Sequence, residues 1–130
     1  MTAAVEWRLR RMTSADVPQV MAIEHQAFSH PWTEGMVRSE LTHDWSTVLL
    51  AEALDGSAWV LRGFVIYWLV VDEVHVLNVA TDSTFRRQGV ARRVLNAVLE
   101  TGRAQRCRLA TLEVRASNTA AKALYASLGF

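Results

Sequence analysis

One cysteine, two prolines and no apolar run of membrane length set the first limits on this chain. Cys107 has no second cysteine to pair with, so an internal disulfide is excluded. That fits a reducing cytosol, and a cytoplasmic protein is expected. The longest apolar run, residues 64–71, falls far below the roughly 20 residues that cross a bilayer. Residues 1–11 reach their charges before any long apolar segment, so no signal peptide is read there. Neither sign of charge dominates. The 14 Lys+Arg against 13 Asp+Glu leave a net charge of +1, which makes no case for direct nucleic-acid or membrane binding. His25, His30 and His43 are scattered and share no metal-ligand spacing with Cys107, so no metal is expected. Repeats, low-complexity tracts and linkers are missing as well.

What is present is apolar. At 51% apolar over 130 residues the chain can build a real core, and residues 1–130 are read as a single domain. Residues 5–11 suit a first strand. Thr13 or Ser14 offers a helix N-cap, with Asp16 favourable in the first turn and Pro18 tolerable there, since first-turn N–H groups lack helical partners. Val17, Val20, Met21, Ala27 and Phe28 follow at helical spacing. Ser29-His30-Pro31-Trp32 breaks the pattern, and Thr33 caps a short second helix to about Leu41. Residues 46–53 and 58–71 read as strands joined by the turn signal Leu54-Asp55-Gly56. Val71-Asp72-Glu73 allows a tight reversal into a third strand, residues 74–80, and connections this short imply antiparallel pairing. Val90, Val94, Leu95, Val98 and Leu99 mark a helix face, and residues 108–115 alternate as a strand. Asn118 caps a last helix with Ala121, Leu124, Tyr125 and Leu128 on one stripe, and Gly129 stands where a C-terminal glycine belongs. The strand–helix–strand unit over residues 74–114 implies a parallel pair. The fold class is α+β, with a mixed sheet.

The strongest local signal is Arg86-Arg87-Gln88-Gly89-Val90-Ala91, between a strand and a helix. A helix start carries unpaired N–H groups and roughly half a positive charge, so it suits a pyrophosphate if the backbone is accessible. Gly89 and Ala91 keep bulk away, and Arg86, Arg87, Arg92 and Arg93 add charge. On these residues alone, a basic loop ending in a glycine is an equal alternative. The spacing is neither a Walker loop nor Gly-x-Gly-x-x-Gly.

Arg-x-x-Gly-x-Ala on such a turn resembles the coenzyme A pyrophosphate loop of the GCN5-related N-acetyltransferases (GNAT). Leu77-Asn78-Val79-Ala80-Thr81 resembles the strand before that loop. Leu112-Glu113-Val114-Arg115-Ala116-Ser117-Asn118, with Leu124-Tyr125-Ala126-Ser127-Leu128-Gly129-Phe130, resembles the last strand and helix of the RimI-type ribosomal-protein alanine N-acetyltransferases. The Phe28-Ser29-His30-Pro31-Trp32-Thr33-Glu34 stretch is similar to a loop of the same branch. The resemblance implies a GNAT-type sheet, mostly antiparallel and flanked by helices, with a central parallel splay beyond Ala80. The family continues past Leu-Gly-Phe with a further strand pair; with the sequence ending at Phe130, that pair is expected to be missing.

The resemblance also implies acetyl-CoA as co-substrate, held by Val79, Ala80, Thr81, Arg86, Arg87, Gln88, Gly89, Val90, Ala91, Arg92 and Asn118. Val79 would act through its backbone N–H on the thioester oxygen. Glu113 interrupts an apolar strand; read alone it is a surface carboxylate or a desolvated base, and the resemblance makes it the base. Tyr125 read alone is a core tyrosine or an acid, and the resemblance makes it the acid for the leaving thiolate. Asn118 is a plain N-cap, a pantetheine contact, or both. His75 reads as a satisfied strand histidine sharing a face with Leu77 and Val79, and the five tryptophans read as core and edge packing. The implied acceptor is a protein N-terminal amine, the alanine of a small-subunit ribosomal protein. Another peptide N-terminus, a lysine or small amine, and a coenzyme-binding module without turnover are the alternatives.

Overall fold

Among the described residues, five strands and three helices, besides the helical Ala126, follow the two periodicities of the sequence. They are β1 (Trp7–Arg11), α1 (Val17–Ala27), α2 (Glu34–Glu40), β2 (Ser46–Asp55), β3 (Ala58–Val70), β4 (Glu73–Thr81), α3 (Val90–Ala104) and β5 (Leu109–Leu112). This computed structural model describes residues 5–112 and Ala126, which is helical. Glu113, Asn118 and Tyr125 lie outside the described residues, and so do the end of the expected last strand, most of the expected last helix and the expected splay. The sheet order is β1-β2-β3-β4-β5; the first three pairings are antiparallel, and β4 with β5 is parallel across α3.

Local chemistry sets the element ends. Thr13 and Asp16 close a capping box around the 3-10 turn Ser14–Asp16, and α1 proper begins one residue later with Pro18 in its first turn. Thr33 Oγ1 accepts from the Met36 N–H at 3.1 Å and starts α2. Gly56 takes φ 62° in the β2–β3 turn. Val71 turns β3 into β4 at φ 56° and is almost fully exposed, a conformation no β-branched residue advertises in sequence.

The sheet separates two apolar layers. On one face Val17, Val20, Ile23 and Val37 of α1 and α2 pack on Val48, Leu50, Phe64, Ile66 and Ala80. On the other, Val90, Val94, Leu95 and Val98 of α3 pack on Ala51, Val65, Tyr67, Val74 and Val76. Each fully buried Leu, Ile or Phe stabilises by about 1.5–3 kcal/mol relative to exposure. Two bulges adjust this frame. Ala51 faces Gly63 while Glu52 faces Leu61, leaving Arg62 unpaired. Ile66 faces Asn78 while Tyr67 faces Val76, leaving Leu77 unpaired. The second bulge corrects the simple alternation: Leu77 packs toward α1, but Val79 packs toward α3, so His75 and Val79 do not share a face.

The edge strand is tied by charge. Glu52 takes Arg8 Nε at 2.8 Å and Arg10 Nε at 2.7 Å, and Arg10 also grips both oxygens of Asp16 at 2.9 and 2.7 Å. The Arg10 guanidinium holds the Asp16 carboxyl well below the usual carboxylate range, against the upward push of burial. For Glu52 burial is the largest single influence and raises it, but Arg10 and Arg8 together bring it below its ordinary value. Folding depresses both groups, so their stabilisation is present above the unfolded value near pH ~4 and is lost as pH falls through the folded values. Tm is therefore expected to drop between about pH 5 and pH 2, and Arg10→Met should flatten that limb. An Arg10→Met protein with the wild-type acid slope would place the sensitivity elsewhere.

Candidate active site

The turn from β4 to α3 is built by short-range polar contacts. The Asp82 N–H donates to the Arg62 carbonyl at 2.8 Å, and Asp82 Oδ1 accepts from the Thr84 N–H at 2.9 Å to start the 3-10 turn Ser83–Phe85. Arg87 and Gly89 then take φ 64° and 77°, which steers the chain into α3. Among the described residues no side chain caps the start of α3, and its first turn carries no acidic residue. The helix start thus presents N–H groups and positive dipole to whatever lies in front of it. A cavity of about 250 Å³ lies there, lined by Thr81, Arg86, Arg87, Gly89, Val90, Ala91 and Arg92. A Cβ built on Gly89 would meet nothing within 4 Å, so the open side of this glycine is available for close approach of a ligand. A helix start with no acidic residue in its first turn, arginines and accessible backbone fit a pyrophosphate.

Of the other expected coenzyme residues, the described ones, Val79, Ala80 and Gln88, stand apart from this cavity. Gln88 Oε1 accepts from Arg62 Nη1 at 3.3 Å. Ala80 is buried in the α1-side layer. Arg93 stacks over the Trp7 ring, 4.3 Å from its centroid, and adds nothing to the lining. For Val79 the expected contact is its backbone N–H, whose direction the sheet ladder sets. The Arg62/Asp82 step is hydrogen-bonded, and antiparallel ladders alternate, so Val65/Val79 is a non-bonded step. The Val79 N–H therefore turns away from β3, toward the β5 side.

Several supports escape a local sequence reading. A Cβ on Gly63 would sit 2.6 Å from Val90 Cγ1 and 2.7 Å from the Ala80 carbonyl, so only glycine lets α3 begin this close to the sheet. The Arg62 guanidinium lies over Phe85 at 4.2 Å and Trp7 at 5.2 Å and braces the loop from behind. Only the glycine itself hinted at the first; the second joins residues far apart in sequence. His75 is satisfied, with Nδ1 2.7 Å from Thr111 Oγ1 and Nε2 3.0 Å from Glu73 Oε2. Cys107 borders a separate cavity of about 120 Å³ between α3 and β5, while Arg108 turns to Asp72 and Glu73. No tryptophan joins the fully buried core; Trp45 is exposed and stacks on His43.

Residues 17–130 match the Acetyltransferase (GNAT) family. The chain belongs to the GNAT acetyltransferases. It is 34% identical over 119 residues to the ribosomal protein bS18-alanine N-acetyltransferase of Escherichia coli strain K12, covering 92% of this chain and 77% of that one. The enzyme of the same name from Salmonella typhimurium is also 34% identical, with the same coverage. The crystal structure of the ribosomal-protein-S18-alanine N-acetyltransferase from Escherichia coli superposes with a TM-score of 0.84 at 31% identity, over 95% of this chain and 77% of that one. The mixed sheet with helices on both faces is thus the GNAT fold, and this GNAT protein is an acetyl-CoA-dependent N-acetyltransferase. Among the described residues, no helix is long and apolar enough to cross a membrane.

Proposed function

We propose that this enzyme, a single domain over residues 1–130 acting in the cytoplasm, acetylates the N-terminal alanine of a ribosomal protein of the bS18 type. The supporting observation is 34% identity, spread over 92% of the chain, to an enzyme named for that acceptor. In this reading the α3 start and Arg86, Arg87 and Arg92 hold the coenzyme pyrophosphate, and Thr81, Gly89, Val90 and Ala91 shape its seat. Gln88 keeps the loop against Arg62, Ala80 anchors the strand, and Asn118 contacts the pantetheine arm. Acetyl-CoA supplies the activated acyl group. Glu113 takes a proton from the incoming ammonium, the Val79 N–H stabilises charge on the thioester oxygen, and Tyr125 protonates the departing sulfur.

The acceptor is tested with peptides varied at their first three residues, reading free-thiol release. An alanine-initiated ribosomal sequence should be turned over fastest. Equal rates on lysine side chains or small amines would overturn the acceptor. Tyr125→Phe tests the acid, because it keeps the ring and removes only the hydroxyl. A thiolate leaves more readily than an alkoxide, so help from an acid is worth less than the usual 10²–10⁴, and a loss of about tenfold in turnover is expected. Tm and coenzyme affinity should hold. A fully active Tyr125→Phe enzyme would leave that proton to water, and a merely structural hydroxyl would instead lower stability by about 1 kcal/mol.

A further inference from the structure

Glu24 of α1 is a carboxylate only 1% exposed. Both of its oxygens are engaged: Oε1 accepts from Asn78 Nδ2 at 2.6 Å, and Oε2 accepts from the Trp32 backbone N–H at 2.8 Å. Carboxylates are rarely buried this fully, and a well-packed apolar residue would often be as stable or more so. The two partners belong to separate parts of the molecule. Asn78 lies between the bulged Leu77 and Val79, whose N–H turns away from β3. Trp32 lies in the segment joining α1 to α2. A bulge that slid along β4 past Val79 would swap the faces of Val79 and Ala80 and turn the Val79 N–H back into the sheet ladder. A side-chain bond to the residue beside the extra one prevents that slide.

We propose that Glu24 is a positioning residue for acyl transfer: by holding Asn78 it fixes the β4 bulge that presents the Val79 N–H, and by holding the Trp32 N–H it sets residues 29–33 against the same strand. This rests on the reading of Val79 as the contact to the thioester oxygen. The bonding also predicts how substitutions differ. Glu24→Met keeps the volume and removes both acceptors. Glu24→Gln keeps one acceptor for Trp32, and the Asn78 amide can turn to offer its oxygen to the new NH₂.

The test compares these variants by turnover, by stabilisation with acetyl-CoA, and by amide hydrogen exchange. Glu24→Met should bind acetyl-CoA within twofold of wild type, lose about tenfold in kcat, and exchange faster over residues 29–33 and 77–80 but not in the centre of β2 or β3. Glu24→Gln should recover to within threefold of wild-type kcat. If Glu24→Met does not fold, Asn78→Ala cuts the strand link from its other end and should show the same kcat loss and the same faster exchange over residues 77–80. Wild-type kcat per folded molecule, or unchanged exchange over residues 77–80, overturns the proposal. A wild-type enzyme that ignores the alanine peptide overturns the acceptor reading instead; exchange needs no acceptor and still decides Glu24.

Discussion

Glu113→Gln is expected to bind acetyl-CoA as the wild type does and to lose about 100-fold or more in turnover near pH 7. The acceptor must be a free amine to attack, and an α-amino group with a pKa near ~8 is mostly protonated at neutral pH. As the proposed base, the Glu113 carboxylate removes that proton in place. The glutamine side chain has the same shape and no basic oxygen, so binding survives while the proton has no local acceptor. The sign of the pH dependence follows. Above about pH 8–9 the amine deprotonates unaided, so the variant should recover toward wild type as pH rises. A kcat/KM profile from pH 6 to 10 for both proteins makes the comparison. A Glu113→Gln enzyme with the wild-type rate at pH 7 would assign the proton to another group or to water.

The fold was legible wherever one face of an element is buried and the other is not. Of the expected face, α3 buries Val90, Val94, Leu95 and Val98 and half-buries Leu99, with Gly102 buried besides, because a 3.6-residue period leaves only one way to set that helix on a sheet. The Asp55-Gly56 turn and the Thr33 cap were legible because each depends on one residue's own chemistry. The Leu77 bulge was not. An extra residue in a strand leaves no mark on hydropathy, yet it moves Val79 to the opposite layer. Arg87 at φ 64° is equally silent, since arginine carries no preference for that region.

The candidate site divides in the same manner. Thr81, Arg86, Arg87, Gly89, Val90, Ala91 and Arg92 were legible together because they are consecutive or nearly so, and the cavity gathers them. What braces them is non-local. Trp7, Arg62 and Phe85 meet from three separate segments, and Glu24 reaches Asn78 across 54 positions. No local period links such pairs, so only the folded chain reveals that one carboxylate joins α1, β4 and the segment before α2.

Gly63→Ala should unsettle both the fold and the coenzyme site, whereas Gly89→Val should spare the sheet. The two glycines serve opposite purposes. At Gly63 the missing Cβ is a packing requirement: the new methyl would lie 2.6 Å from Val90 Cγ1 and 2.7 Å from the Ala80 carbonyl oxygen, and the second is backbone that cannot rotate aside. Either the start of α3 lifts or β4 shifts, and overpacking of this kind destabilises by about 1–3 kcal/mol. Val90 lines the cavity, so the same displacement should weaken acetyl-CoA by about tenfold, read as a smaller rise in Tm on adding it. At Gly89 the added side chain meets open space, but φ 77° is strained for valine and its methyls enter the space in front of α3. Gly89→Val should thus bind the coenzyme less tightly while its core stays packed. Adding Val90→Ala to Gly63→Ala removes the Cγ1 conflict and leaves only the carbonyl, so it should restore part of the lost Tm. A Gly63→Ala enzyme with unchanged Tm and an unchanged acetyl-CoA shift would show that the start of α3 does not need its close seat on β3.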